Sequence, residues 1–344
     1  MKKLVLSMFA VAALASCVQN ETINPGSSID FGAPFVGNTT KAIDYSYGEN
    51  KLLKEIFVYG TVQGTAATPV SIFDYTRVWT TADDGDYTEL WNCEATQYWI
   101  SGADYKFAAV AGIAKGNVTT TDGIPTSLTF ESTGTTDLVA GYVEKNDVAA
   151  TGNGSVAFTM NHLLSKAKFT INNTTNQADA TKTSGYYYKV TDIKLTNAYT
   201  SGTCALTYDS VNNSVSGAWT ATGTAGVNFG HATNATTAVT ESEATKIGDR
   251  VSVTSNHEYL IIPGDYTTTK LIVEFDIALY NSSNDAPVNV KATKSAEVEV
   301  EFVAGYAYNF VLNLSIGQPI NFTVTANPGW INADDETIEH ESTI

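Results

Sequence analysis

The chain has 344 residues, 43% of them hydrophobic and only 16% charged, which is enough apolar material for two sizeable folded units and too much for a disordered tail. Acidic side chains outnumber basic ones 36 to 19, and the formal net charge of −17 repels nucleic acid and anionic lipid, excluding both as partners. Three cysteines are few for an exported chain, so stability has to come from packing rather than a disulfide framework.

Lys2 and Lys3 precede an apolar run from Leu4 to Leu14, a basic n-region followed by an h-region too short to span a bilayer. The run ends in Leu14-Ala15-Ser16-Cys17, which is similar to a bacterial lipobox, where the cysteine is acylated and becomes the new N-terminus. Residues 1–16 are therefore expected to be a lipoprotein signal peptide, with Cys17 the lipidated anchor to a membrane surface. Two or more acyl chains hold a protein stably where one does so only marginally. The alternative is an ordinary secretory signal with a chance cysteine. Without Lys2 and Lys3, 17 basic side chains face 36 acidic ones, a net charge of −19.

Residues 17–41 are expected to be a tether and a removable strand. Residues 18–28 are polar and contain Gly and Pro, unsuited to a helix. Ile29, Phe31, Ala33 and Phe35 then alternate with Asp30, Gly32 and Pro34, the pattern of a half-buried strand, and Pro34 restricts it to an edge or a strand end. The polar stretch Asn38-Thr39-Thr40-Lys41-Ala42 carries one trypsin-like site, although a lone lysine in a loop is otherwise simply solvated.

From residue 51 onward, short β-branched and aromatic runs are separated by Thr, Asn, Gly, Ser and Asp, with no helical period sustained over a dozen residues. The 18 tyrosines and 14 phenylalanines suit pleated, half-buried surfaces. The spacing predicts an all-β chain of two sandwich domains, 42–154 and 155–344, with the boundary in the Gly/Asn patch at 149–154. Strands are expected over 52–62 (central, because both faces are apolar), 71–79, 98–100, 105–113, 127–130 and 138–143. In the second unit they are expected over 155–159, 160–171, 187–195, 204–208, 215–220, 251–253, 259–263, 270–280, 298–302, 306–316 and 320–326. Residues 228–248 read as a long Ala/Thr-rich loop.

Chemistry is sparse. His162, His231, His257 and His340 show no metal-ligand spacing, and Cys93 and Cys204 lack CxxC partners, so no metal and no cofactor are expected. Both cysteines are read as unpaired and buried, and His162 as a packed or hydrogen-bonded core residue. Asp83-Asp84-Gly85-Asp86 fails the spacing of a calcium loop and reads as a solvated turn. With no nucleophile elbow, phosphate loop or dinucleotide fingerprint, enzyme activity is not expected, although paired carboxylates can meet only in the fold.

Several segments, in order, resemble the fimbrillin family, the type V pilins and accessory lipoproteins of certain Gram-negative anaerobes. They are the lipobox at Cys17, Ile29-Asp30-Phe31-Gly32 followed by Thr40-Lys41-Ala42, His162-Leu163-Leu164-Ser165-Lys166-Ala167, and Tyr259-Leu260-Ile261-Ile262-Pro263. Ala304-Gly305-Tyr306-Ala307-Tyr308-Asn309-Phe310 and Ile320-Asn321-Phe322-Thr323-Val324, ending in Trp330, complete the set. The resemblance implies two transthyretin-like β-sandwich domains in tandem, export as a lipoprotein, and proteolytic removal of an N-terminal segment during assembly. The family's cut follows an arginine, and here the matching residue is Lys41, a departure from that pattern.

On this reading, loss of the strand 29–35 leaves an apolar groove beside an unpaired sheet edge that a strand from another pilin subunit can fill. The expected donors are two C-terminal strands: Tyr306, Tyr308, Phe310, Leu312, Leu314 and Ile316 share one face of the first, and Ile320, Phe322 and Val324 mark the second. The same two strands equally suit an intramolecular core. The function expected is a structural subunit of a surface fimbria contributing to adhesion. The alternative is an outer-membrane-anchored lipoprotein acting as pilus anchor or tip, or as an adhesin binding a glycan or host protein through Trp79, Trp91 or Trp99.

Overall fold

The structure, a computed structural model, describes residues 27–36, 53–64, 68–81, 91–149, 154–173, 186–228, 245–247, 253–254, 259–281, 286–314, 321–328 and 341–343. The chain is all-β. Its first strands are β1 (Phe35–Val36), β2 (Glu55–Gln63), β3 (Val70–Trp79), β4 (Asn92–Cys93), β5 (Asp104–Ala111), β6 (Val118–Thr121), β7 (Ile124–Glu131) and β8 (Val139–Lys145). Then come β9 (Thr159–His162), β10 (Ser165–Asn173), β11 (Tyr186–Asp209), β12 (Ser214–Asn228), β13 (Thr245–Ile247), β14 (Val253–Thr254), β15 (Tyr259–Ile261) and β16 (Gly264–Asp265). The last are β17 (Leu271–Asn281), β18 (Ala286–Pro287), β19 (Ala292–Val298), β20 (Glu301–Phe302), β21 (Tyr306–Leu314), β22 (Asn321–Pro328) and β23 (Glu341–Thr343).

The first sheet runs β1-β9-β8-β5-β2-β3-β4. Its inner strand β2, between β5 and β3, is buried on both faces, as its unbroken apolar run requires: Ile56 and Val58 enter one core and Tyr59 the other. Gly60 is needed there, because a Cβ would stand 2.8 Å from the Phe73 ring and 3.0 Å from Phe107. β5 stops at Ala111, short of the expected Ile113, because Gly112 turns the chain at φ +79°.

The third sheet runs β14-β10-β21-β22-β23, with β15 on β10. The second sheet lies across both. Its spine is β11, a single strand of 24 residues in place of the two separate strands expected at 187–195 and 204–208. One side of β11 pairs first with β17 (Tyr186 to Leu195) and then with β7 (Ser201 to Ala205), so strands from before and after residues 150–153 share one sheet. The other side pairs with β13 and β12.

Three cores result. One lies between the first sheet and the segments around Ile29, Trp99, Val148 and Phe158. A second lies on the opposite face of that sheet, under Leu128, Cys204 and Val215. The third lies between β10, β21 and β22 on one side and the first half of β11, β17 and β19 on the other. The expected strand at 98–100 is reduced to an isolated bridge between Tyr98 and Ser28. Most of the loop expected over 228–248 lies outside the described residues, but Thr245–Ile247 forms β13 rather than loop. Among the described residues no helix is long and apolar enough to cross a membrane.

Candidate functional site

The segment 27–36 is held as an added strand against the first sheet. On one side the Ile29 amide donates to the Gln97 carbonyl at 2.8 Å and the Trp99 amide donates to Ser27 at 3.1 Å. On the other side Gly32 donates to Val156 at 2.9 Å and Val156 donates to Asp30 at 2.7 Å. The segment then enters the sheet itself as β1, parallel to β9, with Phe35 opposite Thr159 and Val36 opposite Met160.

Phe31 is the anchor, with none of its surface exposed, and Ile29 retains only 3%. The Phe31 ring meets Phe73 edge-on at 5.4 Å and Phe107 edge-on at 6.2 Å, and stacks on Phe158 at 6.2 Å. Such pairs contribute about 0.5–1.5 kcal/mol each beyond their area burial. The expected alternation holds for exposed Asp30 between buried Ile29 and Phe31 but not farther on: Ala33 is half-buried and Pro34 is buried. There the segment crosses from the bridge at Phe31 into the ladder of β1, so a period of two cannot persist. Phe35 opens β1, whereas Cys17, Lys41 and Ala42 lie outside the described residues.

Of the C-terminal residues singled out, Tyr306, Tyr308, Phe310, Leu312 and Leu314 are in β21, the middle strand of the third sheet between β10 and β22. Tyr308, Phe310 and Leu312 are buried in its core and Tyr306 packs against it. The Tyr308 hydroxyl donates to Glu301 O and accepts from the Val303 amide, and burial pushes its pKa up to about 12. Phe322 and Val324 are in β22, Val324 buried; Ile316 and Ile320 lie outside the described residues.

The His162–Ser165 stretch joins the two groups. β9 ends at His162 and β10 begins at Ser165, so Leu163 and Leu164 form a two-residue step from the first sheet to the third. His162 Nδ1 is 2.7 Å from Asp137 Oδ2, and the Leu163 amide donates to Leu138 O. Trp219 Nε1 donates to Leu163 O at 2.7 Å, Gly305 N donates to Leu164 O at 2.8 Å, and Ser165 Oγ donates to Val303 O at 2.8 Å. Asp137 and Trp219 carry no local signal that pairs them with this step. Gly305, just ahead of a strongly alternating strand, is the one partner that turn chemistry could have flagged.

Cys93 and Cys204 are free; Cys204 is buried, but Cys93 is only half-buried, a correction explained by its place on the short outer strand β4. Trp99 is not a surface aromatic, because it retains 3% exposure against Tyr105 and Phe107. Trp79 is half-buried with the Arg77 guanidinium 4.8 Å above its ring, and Trp91 packs beside the Phe31 core. Asp83–Asp86 and the other three histidines lie outside the described residues. Among the described residues no three His, Cys, Asp or Glu side chains are grouped to hold a metal ion.

A profile of fimbrillin-like proteins matches residues 40–330. The chain belongs to the fimbrillin-like family. As a fimbrillin-like chain it is a pilus-related protein of the cell surface. The matched span begins after the seated segment 27–36. No curated protein matches the chain. Among solved structures, a candidate cell adhesion protein of Bacteroides ovatus is 14% identical, covering 90% of this chain and 99% of its own, with a TM-score of 0.47. A fimbrial assembly protein of Parabacteroides distasonis is 12% identical over 92% of this chain and 100% of its own, TM-score 0.45. A candidate cell adhesion protein of Bacteroides uniformis is 16% identical over 86% and 98%, TM-score 0.44.

Proposed function

We propose that this fimbrillin-like chain is a structural pilus subunit exported as a lipoprotein on Cys17 and assembled by strand exchange after a cut at Lys41–Ala42. Its sandwich units are taken as 42–154 and 155–344. The observation that supports the reading is the seat of Phe31: an N-terminal segment contributes a fully buried aromatic to a core built from distant strands. Removing it gives up the burial of Phe31 and Ile29, at most roughly 1.5–3 kcal/mol for each, and uncovers one side of Phe73, Phe107 and Phe158 together with the edge of β9. A strand supplied by the next subunit restores both the burial and the ladder, and contacts of that head-to-tail kind propagate as filaments.

Of the two C-terminal strands, β22 is the readier donor on physical grounds. Freeing β21 breaks ladders on both of its sides, whereas β22 has β21 along one side and only Glu341–Thr343 along the other. Limited trypsin digestion of the precursor tests the assembly. The first nick is expected after Lys41, and the cut chain is expected to form filaments by electron microscopy. Cut chains that remain monomeric rule out a shaft subunit and leave an anchor or tip. On cells, an N-terminal Ala42 marks the processed subunit and a lipidated Cys17 the anchored one.

A further inference from the structure

We infer that the step His162–Ser165 couples the seat of the N-terminal segment to the ladder of the C-terminal strands, so that seating residues 27–36 holds the C-terminal strands in place. The inference deepens the assembly reading above and rests on it for its biological sense. β9 and β10 are one stretch of chain with a different partner at each end. β9 takes β1 alongside it at Phe35–Thr159 and Val36–Met160. Two residues past β9, β10 takes β21 in parallel from Lys166–Ala307 to Asn173–Leu314, and β21 carries β22 along its other edge. The segment 27–36 and the C-terminal pair thus grip the two ends of the same backbone.

The step between them has no slack. Leu163, Leu164 and Ser165 are all buried. The polar groups of the step are held from three directions: Asp137 and Leu138 from the loop just ahead of β8, Trp219 from β12, Val303 and Gly305 from the turn before β21. Ala307 at the head of β21 sits in the same core as Leu163, Leu164 and Tyr59. A displacement of β9 is therefore passed on to β10 rather than absorbed between them, since close-packed elements shift as units. Coupling of this kind is reciprocal: whatever loosens β21 must also loosen the seat of Phe31.

The test carries an internal reference. Strand β17 covers the same core as β21 but is not continuous with β9. Hydrogen–deuterium exchange of the uncut full chain is compared between wild type and Phe31→Ala. Exchange in Ser165–Asn173 and Tyr306–Leu314 is expected to rise tenfold or more, while Leu271–Asn281 stays within twofold. No rise in Tyr306–Leu314 overturns the inference, and so does an equal rise in Leu271–Asn281, which signals general loosening. If Phe31→Ala does not fold, Ile29→Ala trims the same segment and is read the same way. Filament formation plays no part in this readout, so the coupling and the assembly reading can fail independently.

Discussion

Cys204 and Cys93 carry the same thiol in different surroundings. Cys204 lies in the core under Leu128 and Val215, where burial pushes its pKa up to about 12. Burial also raises Cys93, but the strand β4 leaves that side chain half-buried, with its thiol donating to Ala95 O. Because the thiolate is the reacting form and needs access, iodoacetamide at pH 8 is expected to modify Cys93 at least about tenfold faster than Cys204. Peptide mapping of the alkylated protein checks this, and urea is expected to abolish the difference. At this scale the sequence was informative where a residue's environment is local. The apolar alternation around Ile29 and Phe31 marked both as inward-facing, and both are buried. It misplaced Trp99, which is covered by Tyr105 and Phe107 on the next strand, and gave no sign of Asp137, whose partner His162 lies 25 residues on.

Strand β17 shows how an element can tie stability to pH. Alternation marks Leu271, Val273, Phe275, Ile277 and Leu279 as inward-facing; the first four are buried and Leu279 is half-buried. On its outer face, partial burial of Asp276 alone would raise the carboxyl pKa. The Thr293 hydroxyl, donating at 2.6 Å, and the Lys291 ammonium at 2.9 Å outweigh that and hold it below the usual carboxylate range. A carboxyl depressed on folding stabilises the protein above its unfolded pKa of about 4, and that contribution is lost as pH falls through the folded value. Asp276→Asn is therefore expected to be less stable than wild type at pH 7, with the two urea midpoints converging as pH falls below about 4. Strand β11 was harder to read. Residues 196–203 include Asn, Ser and Gly and break the alternation, so the strand looked like two. It continues through register shifts near Leu195–Ala198 and Tyr199–Gly202 because its partner changes there from β17 to β7, a long-range fact that no local window contains.

For the whole molecule, charge dominates the encounter between copies. Residues 42–344 carry 16 basic and 34 acidic side chains, a net charge of −18, so two cut chains repel on balance, and salt screens that repulsion within about 10 Å at 0.1 M. If cut chains associate by strand exchange, the rate is expected to rise when NaCl is raised from about 10 mM to about 150 mM. Light scattering reads the rate, and a fall with salt would instead require attraction between oppositely charged faces. The all-β class and most strands were legible at this scale. The sharing of one sheet by both halves was not, because which strands meet is decided by packing and not by pattern.

The segment 27–36 runs parallel to Val156 and β9 on one side and antiparallel to Trp91 and Tyr98 on the other. A cleft bounded in that way has a grain: a strand laid in backwards would swap the parallel ladder for an antiparallel one and misplace the Phe31 pocket relative to the hydrogen bonds. If a strand of the next copy takes the place of residues 27–36, each copy gives a strand at one place and receives one at another. A fibre built by repeating that step therefore has two unlike ends, so that addition and capping are distinct events at opposite poles.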